Sequence, residues 1–323
     1  ACFTRLQTIT IRKYFPNLIN KSIVSYGSCQ FPTLHFIVEK WLRHTAFMGQ
    51  KFWTLKLILE KDNKTIDMNW NRNKLFDKYV SGIIYEIEME NPKPKVIQNN
   101  KKEQKRYKPL PLTTVELQKL AVTKLKITSD QAMKVAESLY TKGFISYPRT
   151  ETNIFPSSFD FNKIIRSLSE NNDYLEYTHK LLDDNKFSKP RAGIRDDKAH
   201  PPIHPVKNFN GDINSLDYKL FDLVSRHYLA NCSMDAQVEV ADIQIKLNKE
   251  NFHISGVLIK EKNFLEIYDK FYYIKEKVLP DLKIGDSPDV KEFILKEGDT
   301  VPPKLMTEQD LIGLMDKNGI GTD

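Results

Sequence analysis

Tyr147 and Arg149 are the two residues of this sequence best suited by type and spacing to covalent chemistry on a phosphate. An activated tyrosine hydroxyl can attack a phosphodiester, and a guanidinium can bind the non-bridging oxygens on which the transition state gathers charge. Side chains two positions apart in a strand point to one face, so we expect both residues to reach the same phosphate. The alternative is a packed tyrosine beside a surface arginine, because this spacing also occurs by chance.

Two other polar segments are candidates for binding a phosphate-bearing ligand. Residues 25–33 form a glycine-containing loop before a helix, and amides at a helix N-terminus can bind phosphate; an ordinary loop is the alternative. Residues 190–205 contain prolines that exclude a helix, so the spacing of His200 and His204 does not place them on one helix face. We therefore expect a polar active-site loop there and no metal site.

The sequence before Tyr147 predicts the element that positions it. Thr128 and Gln131 form a capping box, which predicts a helix over residues 130–140, and Gly143 is suited to end it. A short strand, residues 144–147, should follow. Helices, a strand and a basic surface together resemble a winged helix, an architecture that binds DNA without being an enzyme.

Alternating apolar residues predict strands on both sides of this helical region. Residues 53–59 and 66–70 predict a hairpin, and Ile83, Tyr85, Ile87 and Met89 predict a further strand. Residues 241–258 predict strands again. The economical arrangement is a helical domain inserted into a β-rich one. The proline- and lysine-rich residues 92–111 predict an exposed linker between them.

The composition favours a globular, basic protein. The 323 residues are 40% hydrophobic and 28% charged with a net charge of +7, and no apolar segment approaches the ~20 residues that span a bilayer. This excess of basic residues is explained by a nucleic-acid partner. A basic surface that binds no partner explains it equally well. Cys2, Cys29 and Cys232 include no Cys-x-x-Cys pair, which argues against a zinc ribbon and favours a reducing, intracellular compartment.

Five stretches resemble, in order, the motifs of type IA DNA topoisomerases. Residues 137–152, which contain Ser146-Tyr147-Pro148-Arg149-Thr150-Glu151, resemble the active-site signature and are similar to the topoisomerase III branch in its eukaryotic alpha form. The other four stretches are residues 25–34, 112–117, 198–205 and 311–323. Asp316 stands where the family usually has glutamate. A tyrosine recombinase is disfavoured because its dispersed catalytic arginines and histidines cannot be assembled here.

The resemblance implies a reaction and roles for the matching residues. Tyr147 would attack one DNA strand, forming a 5′-phosphotyrosine bond and a free 3′-hydroxyl that reseals the strand, without ATP, after another strand has passed. Arg149 would position the scissile phosphate, and His200 would support the site by hydrogen bonding. Single-stranded DNA would be contacted by Ser25, Gly27, Ser28, Gln30, Thr150 and Lys198.

The resemblance also implies an α+β multidomain fold, part of the toroid of this family. A helical, winged-helix-like tyrosine domain, residues 109–228, would be inserted in a β-rich arch formed by residues 42–108 and 229–303. Residues 1–41 and 304–323 would belong to the gate domain.

The cofactor and the partners are likewise implied by the resemblance. The family's Toprim domain, which holds Mg²⁺, has no counterpart here, so we expect a fragment that binds no metal, binds single-stranded DNA weakly and does not relax supercoils. The complete enzyme would use Mg²⁺ and act with a RecQ-family helicase and an OB-fold accessory subunit. The enzyme would be located in the nucleus, or also in mitochondria, and would not bind a membrane. The alternative function is a non-catalytic winged-helix DNA-binding module.

Overall fold

The structure, a computed structural model, describes residues 2–16 and 26–321. The described helices are α1 (Cys2–Tyr14), α2 (Gln30–Thr45), α3 (Lys78–Met89), α4 (Thr114–Leu120), α5 (Ser129–Thr141), α6 (Phe161–Leu168), α7 (Asn172–Leu182), α8 (Leu216–Asn231), α9 (Leu265–Tyr268) and α10 (Glu308–Lys317). The strands are β1 (Lys51–Lys61), β2 (Lys64–Trp70), β3 (Pro94–Arg106), β4 (Ala236–Leu247), β5 (Glu250–Glu261) and β6 (Asp289–Asp299). A π-helical turn, Ala121–Leu125, continues α4. No described helix has the length and apolar content needed to cross a membrane.

The six strands form one antiparallel sheet in the order β3-β4-β5-β2-β1-β6. The predicted hairpin of β1 and β2 is confirmed, and Asp62 and Asn63 turn it with φ angles of 52° and 60°. Asparagine and aspartate tolerate this left-handed region, which matches the twist of paired strands. The strands predicted over residues 241–258 are confirmed as β4 and β5. The sheet therefore joins two segments that are far apart in sequence.

One face of the sheet is buried by alternating apolar side chains. On β1, Leu55, Leu57 and Leu59 are nearly inaccessible, and Phe252 and Ile254 of β5 join the same core. Each such side chain contributes roughly 1.5–3 kcal/mol by leaving water. The period of two that predicted these strands is therefore also what stabilises them.

The prediction of a strand at residues 83–89 is wrong, because this segment lies in α3. The carboxylate of Asp77 accepts a hydrogen bond from the backbone N–H of Val80 and caps the helix. Ser81, Ile84, Tyr85 and Glu88 then face the sheet at helical spacing. The alternating apolar residues indicated a buried strand face, but Ile83 and Met89 are exposed on the helix. The cap and the helical spacing were the signals that the strand prediction overlooked.

The prediction that residues 92–111 are a linker is also wrong for most of the segment. Residues 94–106 form β3, which pairs with β4 from Pro94 opposite Leu247 to Arg106 opposite Ala236. β3 is an edge strand, and lysine is common on such strands because it discourages pairing with other chains. The run of lysines therefore marks a sheet edge and not an irregular connection.

The helices enclose a second core that surrounds α8. Leu220, Phe221, Leu223 and Val224 of this helix are completely buried. Buried side chains of α4, α5, α6 and α7 pack in the same cluster, and residues 264–271 join it from beyond β5. The helical core thus includes side chains that precede and follow residue 228, where the tyrosine domain was predicted to end.

Lys108 fixes the place where the chain passes from the sheet to the helical core. Its side chain is buried, and the ammonium Nζ donates to the carbonyl oxygens of Ser188, Lys189 and Ser233 at 2.7–3.0 Å. Burial lowers the pKa of Lys108 to about 8. These bonds tie the end of β3 to the loop that precedes the polar segment of residues 190–205.

Candidate active site around Tyr147

Helix α5 positions the segment that carries Tyr147. The predicted capping box is present: Thr128 Oγ1 accepts from the N–H of Gln131, whose side chain accepts from the N–H of Thr128. At the other end Gly143 adopts a φ of +74°, which favours glycine, and the N–H of Phe144 bonds to the carbonyl of Leu139. The helix and its ends are therefore confirmed.

The strand predicted at residues 144–147 is reduced to one isolated bridge and a few hydrogen bonds around it. Ile145 forms an isolated bridge with Pro205, and the N–H of Ser146 donates to the carbonyl of His204 at 2.9 Å. The hydroxyl of Ser146 accepts the N–H of His204 at 3.0 Å. The prolines of residues 201–205 remove the donors that a longer ladder needs. Tyr147 thus follows a short pairing with the polar loop and not a strand of a sheet.

Tyr147 is half-buried between two aromatic rings. Its ring centroid lies 4.7 Å from that of His200 and 5.3 Å from that of Tyr140, which it meets edge-on. The predicted pairing of Tyr147 with His200 in one site is therefore present in the structure. His200 belongs to the polar loop, so the loop and α5 hold the tyrosine from two sides.

Arg149 is held by a carboxylate of α5. Its Nε and one terminal nitrogen donate to Oε1 of Glu137 at 2.9 and 2.6 Å, and both side chains are about half exposed. Glu137 and Tyr140 are three residues apart, so they lie on one face of the helix. Tyr147 and Arg149 therefore both contact α5, through Tyr140 and Glu137, and no strand aligns them as predicted.

Thr150 is buried and engaged within the protein. Its backbone N–H donates to the hydroxyl of Thr114, which donates in turn to the carbonyl of Pro148 at 2.7 Å. The hydroxyl of Thr150 donates to the carboxylate of Asp197 at 3.0 Å. Thr150 therefore connects the tyrosine segment both to the start of α4 and to the polar loop.

Asn153 and Gly193 form the second connection to this loop. The N–H of Asn153 donates to the carbonyl of Arg195, and the Oδ1 of Asn153 accepts the N–H of Arg195 at 2.9 Å. A Cβ on Gly193 would lie 2.1 Å from Oδ1 of Asn153, so only glycine allows this approach. No role was predicted from the sequence for Asn153, Gly193 or Asp197. Short polar side chains in a proline-rich loop were the available signal.

His204 does not join His200 in a site. It is buried against the rings of Phe155, Phe159 and Tyr228, and its Nδ1 lies 2.7 Å from the carbonyl oxygen of Pro202, to which a protonated Nδ1 donates. Burial lowers the pKa of His204, so the neutral ring is favoured. Within residues 2–16 and 26–321, no three His, Cys, Asp or Glu side chains come together as metal ligands.

The remaining predicted DNA-contacting residues lie at two places. Gly27, Ser28 and Gln30 are at the start of α2, and no hydrogen bond or ring contact joins them to Tyr147 in the described part of the chain. Ser25 lies outside the described residues. Lys198 is exposed in the polar loop with a φ of +58°, two residues before His200.

Two clefts lie among the helices and loops, one of them beside His200. One of about 380 Å³ adjoins His200 and is lined by Thr152, Phe155, Asp196, Lys198 and Pro201, among others. The other, of about 790 Å³, lies where α2, α4 and α10 meet and carries charges of both signs, including Lys40, Arg43, Lys119, Glu116 and Asp310. The first cleft gives the face of His200 access to solvent.

Comparison with known proteins identifies relatives over the whole sequence. The sequence model of the family described as DNA topoisomerase matches residues 1–323. DNA topoisomerase 3 of Schizosaccharomyces pombe is 41% identical over 325 residues, which cover 100% of this chain and 52% of that protein. DNA topoisomerase 3-alpha of Homo sapiens is 37% identical over 323 residues, covering 100% of this chain and 32% of that protein. The chain thus spans about a third to a half of the length of these relatives.

A solved structure shares the fold. Full-length topoisomerase I from Thermotoga maritima superimposes with a TM-score of 0.71 and 20% sequence identity, and the match covers 93% of this chain and 49% of that one. This confirms the predicted α+β architecture with a helical region inserted in a β-rich one.

Proposed function

We propose a function for this chain from one premise: it belongs to the DNA topoisomerase family, in the type IA topoisomerase III branch. The proposal is that the chain supplies the nucleophile of a reaction in which one DNA strand is cut and resealed. The observation that carries it is the half-buried Tyr147, packed against His200 beside a cleft, with Arg149 held on the same side of α5.

The proposed chemistry is a transesterification. The hydroxyl oxygen of Tyr147 forms a bond to the phosphorus of a DNA phosphodiester, and the bond from phosphorus to the 3′ oxygen breaks. The phenol loses its proton to solvent, and the 3′ oxygen gains one, leaving a 5′-phosphotyrosine and a 3′-hydroxyl. One phosphodiester replaces another, so resealing needs no ATP.

Arg149 and His200 would stabilise the charge that develops on the phosphate. A guanidinium donates two parallel hydrogen bonds to phosphate oxygens, and in the free protein the carboxylate of Glu137 occupies these donors. An incoming phosphate would displace Glu137, an exchange that costs little because the ion pair is exposed. His200 would donate a further hydrogen bond beside the ring of Tyr147.

The complete enzyme is proposed to use Mg²⁺. The described residues bring no carboxylate cluster together, so they do not fit a resident metal. We place the metal on a segment outside this sequence, as the resemblance to the family implies.

The arrangement of domains and the DNA path are also proposals. Residues 42–108 and 229–303 would form the arch, residues 109–228 the tyrosine domain, and residues 1–41 and 304–323 parts of the gate. The single sheet drawn from two distant segments supports the first of these. Single-stranded DNA would run past Lys198 and the start of α2, where Gly27, Ser28 and Gln30 lie. A nuclear location, or also a mitochondrial one, and partnership with a RecQ-family helicase and an OB-fold subunit rest on the resemblance alone.

A trapping assay tests the proposal. The complete gene product is incubated with a single-stranded oligonucleotide and Mg²⁺, and the reaction is stopped with a denaturing detergent that preserves covalent adducts. Tyr147→Phe should abolish the adduct while oligonucleotide binding survives. Tyr140→Phe, which changes the neighbouring half-exposed ring, should retain it. An adduct that persists in Tyr147→Phe would overturn the assignment.

A further inference from the structure

One carboxylate, that of Asp197, joins the tyrosine segment to the loop that carries His200. Its Oδ1 accepts the backbone N–H groups of Ala199 and His200 at 2.9 and 2.8 Å. Its Oδ2 accepts the hydroxyl of Thr150 at 3.0 Å, and its own N–H donates to Oγ1 of Thr152 at 3.0 Å. Both segments that meet at Tyr147 are therefore fixed to the same residue.

Asp197 also places a negative charge beside the imidazole of His200. Its Oδ2 lies 3.7 Å from Nδ1 of His200, and the two side chains are 27% and 43% exposed. Partial burial raises the pKa of Asp197. The hydrogen bonds from His200, Ala199 and the two threonines together lower it by more, so the pKa lies below its usual value. The carboxylate is thus an anion at neutral pH.

We propose that Asp197 is a positioning residue of the strand-cleavage reaction, which holds His200 against Tyr147 and keeps the polar loop in register with residues 150–152. The inference rests on the function proposed above. The physical reason is that hydrogen bonds to a charged acceptor are stronger than neutral ones, so this carboxylate fixes the loop more firmly than an amide would. Without it, His200 would spend less time at the distance from Tyr147 that the reaction needs.

The neighbouring Asp196 provides a matched control. It is exposed, and its Oδ1 accepts only the backbone N–H of Lys198, at 2.8 Å, within its own turn. It has the same charge and the adjacent position, but it makes no bond to the tyrosine segment in the described structure. Replacing either aspartate by asparagine removes one negative charge from the loop, so the difference between the two variants isolates the contacts of Asp197.

The experiment measures the rate constant of covalent adduct formation in the complete gene product. Asp197→Asn should lower it about tenfold, as expected for the loss of a charged hydrogen-bond acceptor, while Asp196→Asn should remain within about twofold of wild type. The unfolding midpoints of both variants should lie within about 4 °C of wild type, which separates the effect from unfolding. Equal rates for Asp197→Asn and wild type would overturn the inference.

A double-mutant cycle with His200→Ala distinguishes positioning from general support. If Asp197 acts through His200, Asp197→Asn should change the rate less than about twofold once His200 is absent. A full tenfold loss in the His200→Ala background would show that Asp197 only maintains the loop, which also contradicts the inference. Failure of the proposed function looks different, because the wild-type protein would then form no adduct at all.

Discussion

The six-stranded sheet and the junction around Tyr147 are built from different interactions. In the sheet, strands of 7 to 13 residues exchange backbone hydrogen bonds, and alternating apolar side chains such as Leu57 bury one face. At the junction, isolated bridges at Ile145 and Leu112 are supplemented by side chains that bond to backbone, above all Thr114, Asn153 and Asp197.

Because of this difference, we expect substitutions in the sheet to change stability and substitutions at the junction to change the reaction rate. A buried strand distributes its stabilisation over many contacts, so its loss is felt as a lower free energy of unfolding. The junction depends on a few exposed or half-exposed polar groups, so their loss should be felt in reaction rate with little change in stability. Four predictions test this separation, from the largest expected effect to the smallest.

Arg149→Ala should have the largest effect of these four. Removing the guanidinium that binds the phosphate oxygens should lower the rate of adduct formation about 10²–10³-fold, a typical cost for losing one charge-stabilising donor. The pair with Glu137 is exposed, so the free energy of unfolding should change by less than about 1 kcal/mol. Single-turnover cleavage and urea titration check the two parts. The rate of adduct formation in Arg149→Lys should lie between those of wild type and Arg149→Ala, since lysine keeps the charge and lacks the planar guanidinium.

Leu57→Ala should show the opposite pattern. The side chain is completely buried in the sheet, so its truncation should lower the free energy of unfolding by about 2–5 kcal/mol. The cleavage rate per folded molecule should not change. Asp67→Ala, on an exposed position of β2, is the control and should stay within about 0.5 kcal/mol. A rate loss in Leu57→Ala without a stability loss would contradict the separation.

His227 predicts a pH dependence of the helical core. It accepts the hydroxyl of Tyr268 at Nδ1 and donates from Nε2 to the carbonyl of Leu110, and burial lowers its pKa from 6.5 to about 4. The unfolded chain therefore takes up a proton first as pH falls, so stability contributed by the neutral ring is lost between pH 6.5 and 4. His227→Gln has no imidazole to protonate, so it should not lose stability for this reason as the pH falls.

The measurement is urea unfolding of both proteins at several pH values. The stability difference between wild type and His227→Gln should narrow as pH falls from 6.5 to 4. A constant difference over that range would show that His227 titrates alike in the folded and unfolded states.

The smallest effect is expected at the link between the polar loop and α10. Arg195 donates to Oδ1 of Asp316 at 2.7 Å, and the arginine side chain is 39% exposed. Arg195→Ala should lower the free energy of unfolding by about 1 kcal/mol, because the arginine of this pair stays in contact with water although the Asp316 side chain is only 17% exposed. Thermal unfolding checks this, and raising the salt concentration should shrink the difference further. A loss of several kcal/mol would mean that the junction also carries stability.

The same contrast explains how much the sequence could predict. Strands β1, β2, β4 and β5 follow from alternation because the sheet buries one face, and α5 follows from its capping box. Alternation failed at residues 83–89, where Asp77 caps a helix whose exposed face is also apolar. Composition failed at β3, which was predicted as a linker from its prolines and lysines, because those lysines reflect an edge position that depends on which strand β3 pairs with.

The candidate site was predicted from the sequence as a set of residues, and their arrangement was not. The resemblance identified Tyr147, Arg149 and His200, and the structure brings Tyr147 and His200 into ring contact. The contacts of Asp197 and Asn153 depend on how two distant irregular segments approach, and no periodic pattern encodes that approach. Glu137 was visible in the motif, but its bond to Arg149 requires the position of α5 relative to the loop.

The most direct test of the account is to identify the residue that becomes bonded to DNA. The trapped adduct is digested with nuclease and trypsin, and the modified peptide is sequenced by mass spectrometry. Trypsin cleaves after Lys142 and Arg149, so Tyr147 and Tyr140 fall in different peptides. We expect a nucleotide joined through its 5′-phosphate to Tyr147, in the peptide of residues 143–149. A nucleotide on Tyr140, or on any residue outside this peptide, would contradict it.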